Sequence, residues 1–452
     1  MASTPSTPSA TLPECESEWR FHDTSYPSEW VETYRPGRLH PVNLGDTFKD
    51  GQYRVIRKLG YGSFSTVWLA RDTRNSRYVA LKVVDAKASL KAKTELSILN
   101  WINERRSRDP LTQYILTNLD TFQHMGPNGT HLCLVSEPMG PTIASLAEEL
   151  TPLEEWTVNI RYPKPMAWRI LKHTLLGLRF LHKNGIVHAD LQPGNLLSTV
   201  SNIDQLSEED LRQDLSGHGR NPAPERVRRL DELEDKWAPR YLFLGQSLVK
   251  YTRLGQEMQV KISDFGAGND SLFVFLKYRE TDFRIAFWAQ EPPESTVTPT
   301  ALRAPELILG GTIDSSIDIW SFGCLIFEML TGVPLFSVMV LFEDDRETTD
   351  DEHLLQMNDL LEPLPDIWLQ ERWPRAKNYF GSGRERLGPT HVDQNKPYID
   401  DPLEVRFEEH KPNDVDDEEA HLITSLIRSI LQYEPSQRPT ADELLRHPWF
   451  QE

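Results

Sequence analysis

Cysteine is scarce in this sequence: three in 452 residues, Cys15, Cys133 and Cys324, all far apart. That excludes a disulfide framework and a thiolate zinc cage, and it points to a reducing compartment. No apolar run approaches the roughly 20 residues that span a bilayer, so no membrane partner is expected. The N-terminus, Met1-Ala2-Ser3-Thr4-Pro5, lacks the basic and apolar regions of a secretory signal. Basic charge is also short: 49 Lys and Arg face 68 Asp and Glu, a net charge of −19. Direct nucleic-acid binding needs a basic face and is disfavoured, whereas basic peptides or proteins are suited. The same acidity would also serve plain solubility. A soluble, intracellular protein is expected.

The length suffices for two lobes with excursions, and 38% hydrophobic residues with 26% charged ones read as globular. Residues 1–35, rich in Ser, Thr, Pro and Glu, are expected to be a disordered arm, or one docked through Trp19 and Trp30. From Tyr53 a strand pattern leads into Lys58-Leu59-Gly60-Tyr61-Gly62-Ser63-Phe64-Ser65-Thr66-Val67-Trp68. Glycines in a strand–turn–strand let backbone amides approach a phosphate, although a glycine hairpin with no ligand has the same pattern. In Tyr78-Val79-Ala80-Leu81-Lys82-Val83-Val84, a Lys sits inside an apolar strand and needs an anionic partner, a phosphate or a carboxylate. Glu95, on the helical stretch that follows, is either that carboxylate or an exposed Glu.

His131-Leu132-Cys133-Leu134-Val135-Ser136-Glu137-Pro138-Met139-Gly140 reads as a buried strand entering a turn. An apolar-periodic helix ends near Gly185 and is followed by His188-Ala189-Asp190-Leu191-Gln192-Pro193-Gly194-Asn195. Residues 200–256, of mixed charge and broken by Gly and Pro, read as a surface insertion with helix around 207–215 and 225–237. A strand then returns in Val260-Lys261-Ile262-Ser263-Asp264-Phe265-Gly266, where an Asp at a strand end suits a metal-ligand carboxylate. Leu302-Arg303-Ala304-Pro305-Glu306, Asp318 opening an apolar helix, and Gln437-Arg438-Pro439 close the series, with Arg438 the expected partner of Glu306.

Each piece is weak alone, but their order resembles that of protein kinases. The expected fold class is therefore α+β and bilobal: a small antiparallel β-sheet N-lobe with one main helix, over residues 36–138, and a larger, mainly α-helical C-lobe over 139–452. The C-lobe is expected to hold the 200–256 insertion and an acidic insertion at about 338–420.

The finer resemblance is to the SR-protein kinase family, over most of residues 34–452. It is carried by Tyr34-Arg35-Pro36-Gly37-Arg38-Leu39-His40-Pro41, by the glycine loop with Ser65 at its third glycine, by the position of the insertion, and by Thr348-Thr349-Asp350-Asp351-Glu352-His353-Leu354. It implies ATP-dependent phosphorylation of Ser in Arg/Ser-rich segments of proteins such as splicing factors. Two acidic clusters, Glu343–Glu352 and Asp414–Glu419, would suit an arginine-rich peptide.

The resemblance assigns roles. Asp190 orients the substrate hydroxyl and accepts its proton; Asn195 and Asp264 hold Mg2+; Lys82, braced by Glu95, positions the phosphates of ATP. Nucleotide contacts fall on Leu59, Gly60, Tyr61, Gly62, Ser63, Phe64, Ser65, Val67, Ala80, Lys82, Ser136, Glu137, Met139 and Leu197, with Ser136 a small guard of the back pocket. Two residues depart from the pattern. Ala189 replaces the Arg that clamps a phosphorylated activation segment, so a constitutively folded segment is expected. Gln192 replaces the Lys that contacts the transferring phosphate. Pro299 stands near the usual bridging Thr, leaving Thr298 or Thr300 to substitute. The alternatives are a weakly active or inactive kinase-fold scaffold and a kinase for another substrate class.

Overall fold

The structure, a computed structural model, describes residues 6–24, 26–150, 161–218, 221–266, 286–338, 346–387 and 397–451. The chain divides into two units: residues 1–142 with 197–277, and residues 143–196 with 278–452.

The first unit is built on six antiparallel strands: β1 Thr47–Phe48, β2 Tyr53–Gly62, β3 Ser65–Asp72, β4 Arg77–Val84, β5 Asn118–Gly126 and β6 Gly129–Ser136. They lie in the order β1-β2-β3-β4-β6-β5. Alternation sets the faces: Tyr53, Val55, Trp68, Ala70, Val79, Leu81, Val83, Cys133 and Val135 share one core. The main helix is Lys93–Arg105, which buries Glu95, Ile98, Leu99 and Ile102, four positions of one helical face. A second sheet places strand Leu196–Thr199 between Val260–Ile262 and Met139–Thr142.

The insertion belongs to this first unit, where the sequence pattern put residues 200–256 with the C-lobe. Its apolar residues explain the difference. Ile203, Leu211 and Leu248 pack on Ile56, Leu69 and Tyr78, covering sheet positions that would otherwise meet water. Of the two expected helices, one shortens to Glu208–Leu211, N-capped by Ser207. The other is absent: Glu225–Arg226 is a strand paired with Tyr241–Leu242. Pro222 and Pro224 precede it, and Phe21 bridges to Arg229, so strand pairing overrides the helical composition. The arm docks. Phe21, Val31 and Tyr34 are buried with Leu39, Ala238 and Leu242, and the edge-on ring pair is Trp19 with Trp30, at 6.3 Å.

The second unit gathers helices around Ser316–Thr331, which is apolar on nearly every face and almost wholly buried. A helix with no polar face must lie inside a core. Gly323 lets a neighbour come close: a Cβ there would stand 2.6 Å from Ile430 and 2.8 Å from Leu431. Gly332 ends the helix in the left-handed conformation, φ 77°. Around it stand Lys164–Lys183, Arg346–Leu360, Leu403–His410 and Asp417–Ile430. Arg438 closes a buried, bidentate pair with Glu306, 2.6 and 2.7 Å, as its sequence position suggests. Breaking such a pair from one side costs about 3–5 kcal/mol.

Candidate active site

The first unit carries the residues expected to face nucleotide. Register pairs Gly60 with Val67, Tyr61 with Thr66 and Gly62 with Ser65, so Ser63 and Phe64 form a two-residue turn. Gly60 has an ordinary φ, and a Cβ there would meet nothing within 4 Å. Its missing side chain therefore serves access to the backbone, and Ser65 takes the third glycine's place without strain. Across β3, Val67 pairs with Lys82, and Ala80 pairs with Ser136 of β6. Leu59 lies within β2, at the register shift between Lys58 and Gly60. Met139 and Leu197 meet Thr199 and Thr142 in the second sheet. Glu137 accepts from Lys261 at 2.6 Å, a partner the sequence pattern did not single out.

Lys82, Glu95, Asp264 and Gly266 line one pocket with Phe64 and Ser65. The expected bond of Lys82 was to Glu95; its ammonium instead bonds Asp264 at 2.8 Å. Asp264 has φ 62°, a left-handed turn that costs an ordinary residue about 1–2 kcal/mol. Two carboxylates compete for one ammonium, and the nearer one takes the bond. Burial opposes the Lys82 charge, but Asp264 and then Glu95 more than offset it and raise its pKa. Glu95 is pushed up to about 7 by burial, with Asp264 adding and Lys82 opposing. The Glu95 carboxylate lies against Gly266, where a Cβ would come within 2.5 Å of it.

The second unit carries the expected catalytic loop, residues 188–195. Asp190 is buried and held on both carboxylate oxygens: Gln192 Nε2 donates to Oδ1 and Asn195 Nδ2 to Oδ2, each at 2.7 Å. Asn195 also donates to the Asp190 carbonyl, 2.8 Å. Gln192 thus orients the carboxylate by a hydrogen bond and brings no charge. Ala189 stands at φ 63°. That turn is held by Asp318, which accepts from the amides of His188 and Ala189 at 2.8 and 2.7 Å and contacts His182 Nε2 at 2.9 Å. Burial works against the Asp318 charge, yet these bonds keep its carboxyl below the usual range. The residue opening the apolar helix is therefore the anchor of the loop. An acid at the first turn of an otherwise apolar helix was the available signal. Of the two candidate bridging residues, Thr298 makes the bond, donating to the Ala189 carbonyl at 2.5 Å.

Among the described residues several acids of these clusters have partners inside the unit. Asp350 pairs with Arg303 at 3.0 Å. Asp351 accepts from Trp373, Arg375 and Tyr379. Asp416 caps a helix, Asp417 pairs with Lys411, and Glu419 pairs with Lys164. Glu343, Asp344 and Asp345 lie outside the described residues, as do residues 267–285 of the expected constitutively folded segment.

Comparison with known proteins bears on this arrangement. Residues 53–207 and 253–450 match the protein kinase domain family. The serine/threonine-protein kinase SRPK of Physarum polycephalum is 32% identical over 440 residues, covering 93% of this chain and 91% of that protein. The chain is a protein kinase of the SR-protein kinase family. This kinase is also similar to protein kinase dsk1 of Schizosaccharomyces pombe, 28% identical over 94% of this chain and 85% of that one. SRSF protein kinase 3 of Mus musculus is 25% identical over 92% and 89%. A crystal structure of a kinase domain aligns with a TM-score of 0.59 at 24% identity, covering 90% of this chain and 98% of that one, a likeness of fold. This kinase is accordingly a serine/threonine protein kinase. Protein kinases use ATP and Mg2+. Among the described residues no three His, Cys, Asp or Glu form a metal cage. No described helix is long and apolar enough to cross a membrane.

Proposed function

We propose that this kinase phosphorylates Ser in Arg/Ser-rich, basic protein segments, acting as a monomer in the cytoplasm, the nucleus or both. The observation that carries catalysis is the doubly held Asp190: with both oxygens oriented by Gln192 and Asn195, its carboxylate is preset to align a hydroxyl and accept its proton. Lys82 is the cation for the phosphates of ATP, kept charged by Asp264 and Glu95. Asp264 in the first unit and Asn195 in the second each carry an oxygen that would hold Mg2+, which when bound would offset the charge of the phosphates. The scaffold reading rests on Ala189, Gln192 and Pro299; against it, Gln192 donates to Asp190, and Thr298 bridges to the Ala189 carbonyl.

The substrate class is supported by the relatives' names and by the net charge of −19. Because Asp350, Asp351, Asp417 and Glu419 already have cationic or hydrogen-bonding partners in this chain, the acidic stretches are not by themselves a ready-made peptide groove. The test is transfer of labelled phosphate from Mg–ATP to an Arg-Ser repeat peptide, set against proline-directed and acidic peptides. Incorporation into the Arg-Ser peptide, abolished by Asp190→Ala, is expected. Preference for another peptide would overturn the substrate class, and no transfer to any would overturn the activity.

A further inference from the structure

The strand that leads into the glycine loop carries a buried charge. Lys58, directly before Leu59 and Gly60, is 0% exposed. Its ammonium bonds the Glu29 carboxylate, which also accepts from Tyr34. Among the described residues Glu29 is the acid within ion-pair range of Lys58, and its own side chain is 5% exposed. The ammonium further lies 5.3 Å from the Tyr61 ring and 5.8 Å from that of Trp68. A residue of the N-terminal arm is thus joined through Lys58 to Tyr61, between the two glycines of the loop.

The backbone at Lys58 is fixed as well. Strand β1 covers β2 at Tyr53 and Arg54. Farther along, insertion residues bind the same edge: Gln213 donates its amide to the Ile56 carbonyl at 3.0 Å, and Gln246 to that of Lys58 at 2.9 Å. Lys58 in turn donates to Gln213 Oε1 at 2.8 Å. Gly245 approaches so closely that a Cβ would stand 3.0 Å from both Gly60 Cα and the Leu59 carbonyl. Arm and insertion thus meet at one residue, immediately before the loop.

We propose that Glu29 is a positioning residue for nucleotide: by neutralising Lys58 it keeps the end of β2 in the arrangement that lets the glycine-loop amides receive phosphate. The inference rests on the kinase reading. Without Glu29 the ammonium is buried with no counter-charge, and the strand must shift to bring it to water. The shift moves Leu59, Gly60 and Tyr61 and leaves Asp190 and its supports untouched.

The experiment uses the full chain and compares wild type, Glu29→Gln and the apolar pair Glu29→Leu/Lys58→Met, which removes both charges together. Mg–ATP affinity is read by calorimetry, KM for ATP, KM for peptide and kcat by phosphate transfer, and folding by thermal melting. Glu29→Gln is expected to raise the Kd and KM for ATP about tenfold or more, with the peptide KM unchanged and kcat within about twofold. The apolar pair is expected to recover most of the loss. The inference is overturned if folded Glu29→Gln binds Mg–ATP like wild type. It is also overturned if kcat and both KM values worsen together with a lower melting temperature, the mark of a merely structural role. Wild type that binds nucleotide but phosphorylates no peptide would sink the substrate reading and leave the calorimetric comparison to decide Glu29; wild type that binds no nucleotide would overturn both.

Discussion

Asp318→Asn isolates what the loop anchor does. The native carboxylate takes one backbone amide on each oxygen, His188 on Oδ2 at 2.8 Å and Ala189 on Oδ1 at 2.7 Å. Asn keeps the shape but has one acceptor oxygen, so one amide must face an NH2 group. A hydrogen bond to a charged group is worth about 1.5–3 kcal/mol net. The amide bonded to Oδ1 belongs to Ala189, whose left-handed backbone costs about 1–2 kcal/mol and relaxes once the restraint is gone. If the loop must be re-ordered at each turnover, the loss appears in kcat as about 10- to 150-fold. The KM for ATP is expected to stay within about threefold, because Lys82, Asp264 and the glycine loop are not touched. Steady-state kinetics with Mg–ATP and an Arg-Ser peptide, beside circular dichroism, make the measurement. A kcat within twofold of wild type, or a loss confined to KM for ATP, would refute the argument.

Two further perturbations address the first unit. Gly266→Ala puts a Cβ 2.5 Å from the Glu95 carboxylate, which must shift from its place beside Lys82 and Asp264; roughly a tenfold loss of kcat/KM, about 1.4 kcal/mol, is expected with the fold intact, and unchanged kinetics would show that Glu95 is dispensable. His40 packs against His124 and His131 at ring distances of 4.7 and 4.9 Å. Burial, then His131 and His124, lowers its pKa from 6.5 to about 3. The unfolded chain therefore takes up a proton near pH 6.5 that folded His40 refuses, and stability falls as pH drops below 6.5, by up to about 1.4 kcal/mol per unit. Denaturant midpoints between pH 7.5 and 5 should decline less steeply in His40→Leu than in wild type, and equal slopes would exclude the contribution of His40.

The motifs were legible in sequence because each joins a residue type to a short backbone pattern. Asp190 with Asn195 fits one tight loop, Gly60 with Gly62 fits one hairpin, and a Lys in an apolar strand announces a counter-charge. What sequence could not decide is which counter-charge. Glu95 and Asp264 were both available to Lys82, and only the turn at Asp264 settles the bond. The same holds for acids in runs: Asp350 and Asp351 looked like a substrate surface, yet Arg303, Arg375 and Trp373 claim them. Ser, Pro and Glu disguised the arm, whose docking joins Phe21, Val31 and Tyr34 to a core and Glu29 to Lys58, partners that its own periodicity says nothing about.

The family match skips residues 208–252, the stretch that holds the outer side of β2. Trimming the chain to its motif-bearing parts would bare the Ile56 and Lys58 carbonyls together with the apolar side chains of Ile56, Leu69 and Tyr78. An open strand edge beside an oily patch is what neighbouring molecules use to build intermolecular sheets. The insertion therefore doubles as a guard against self-association, and a shortened form of this enzyme would be held back by its solubility before its chemistry came into question.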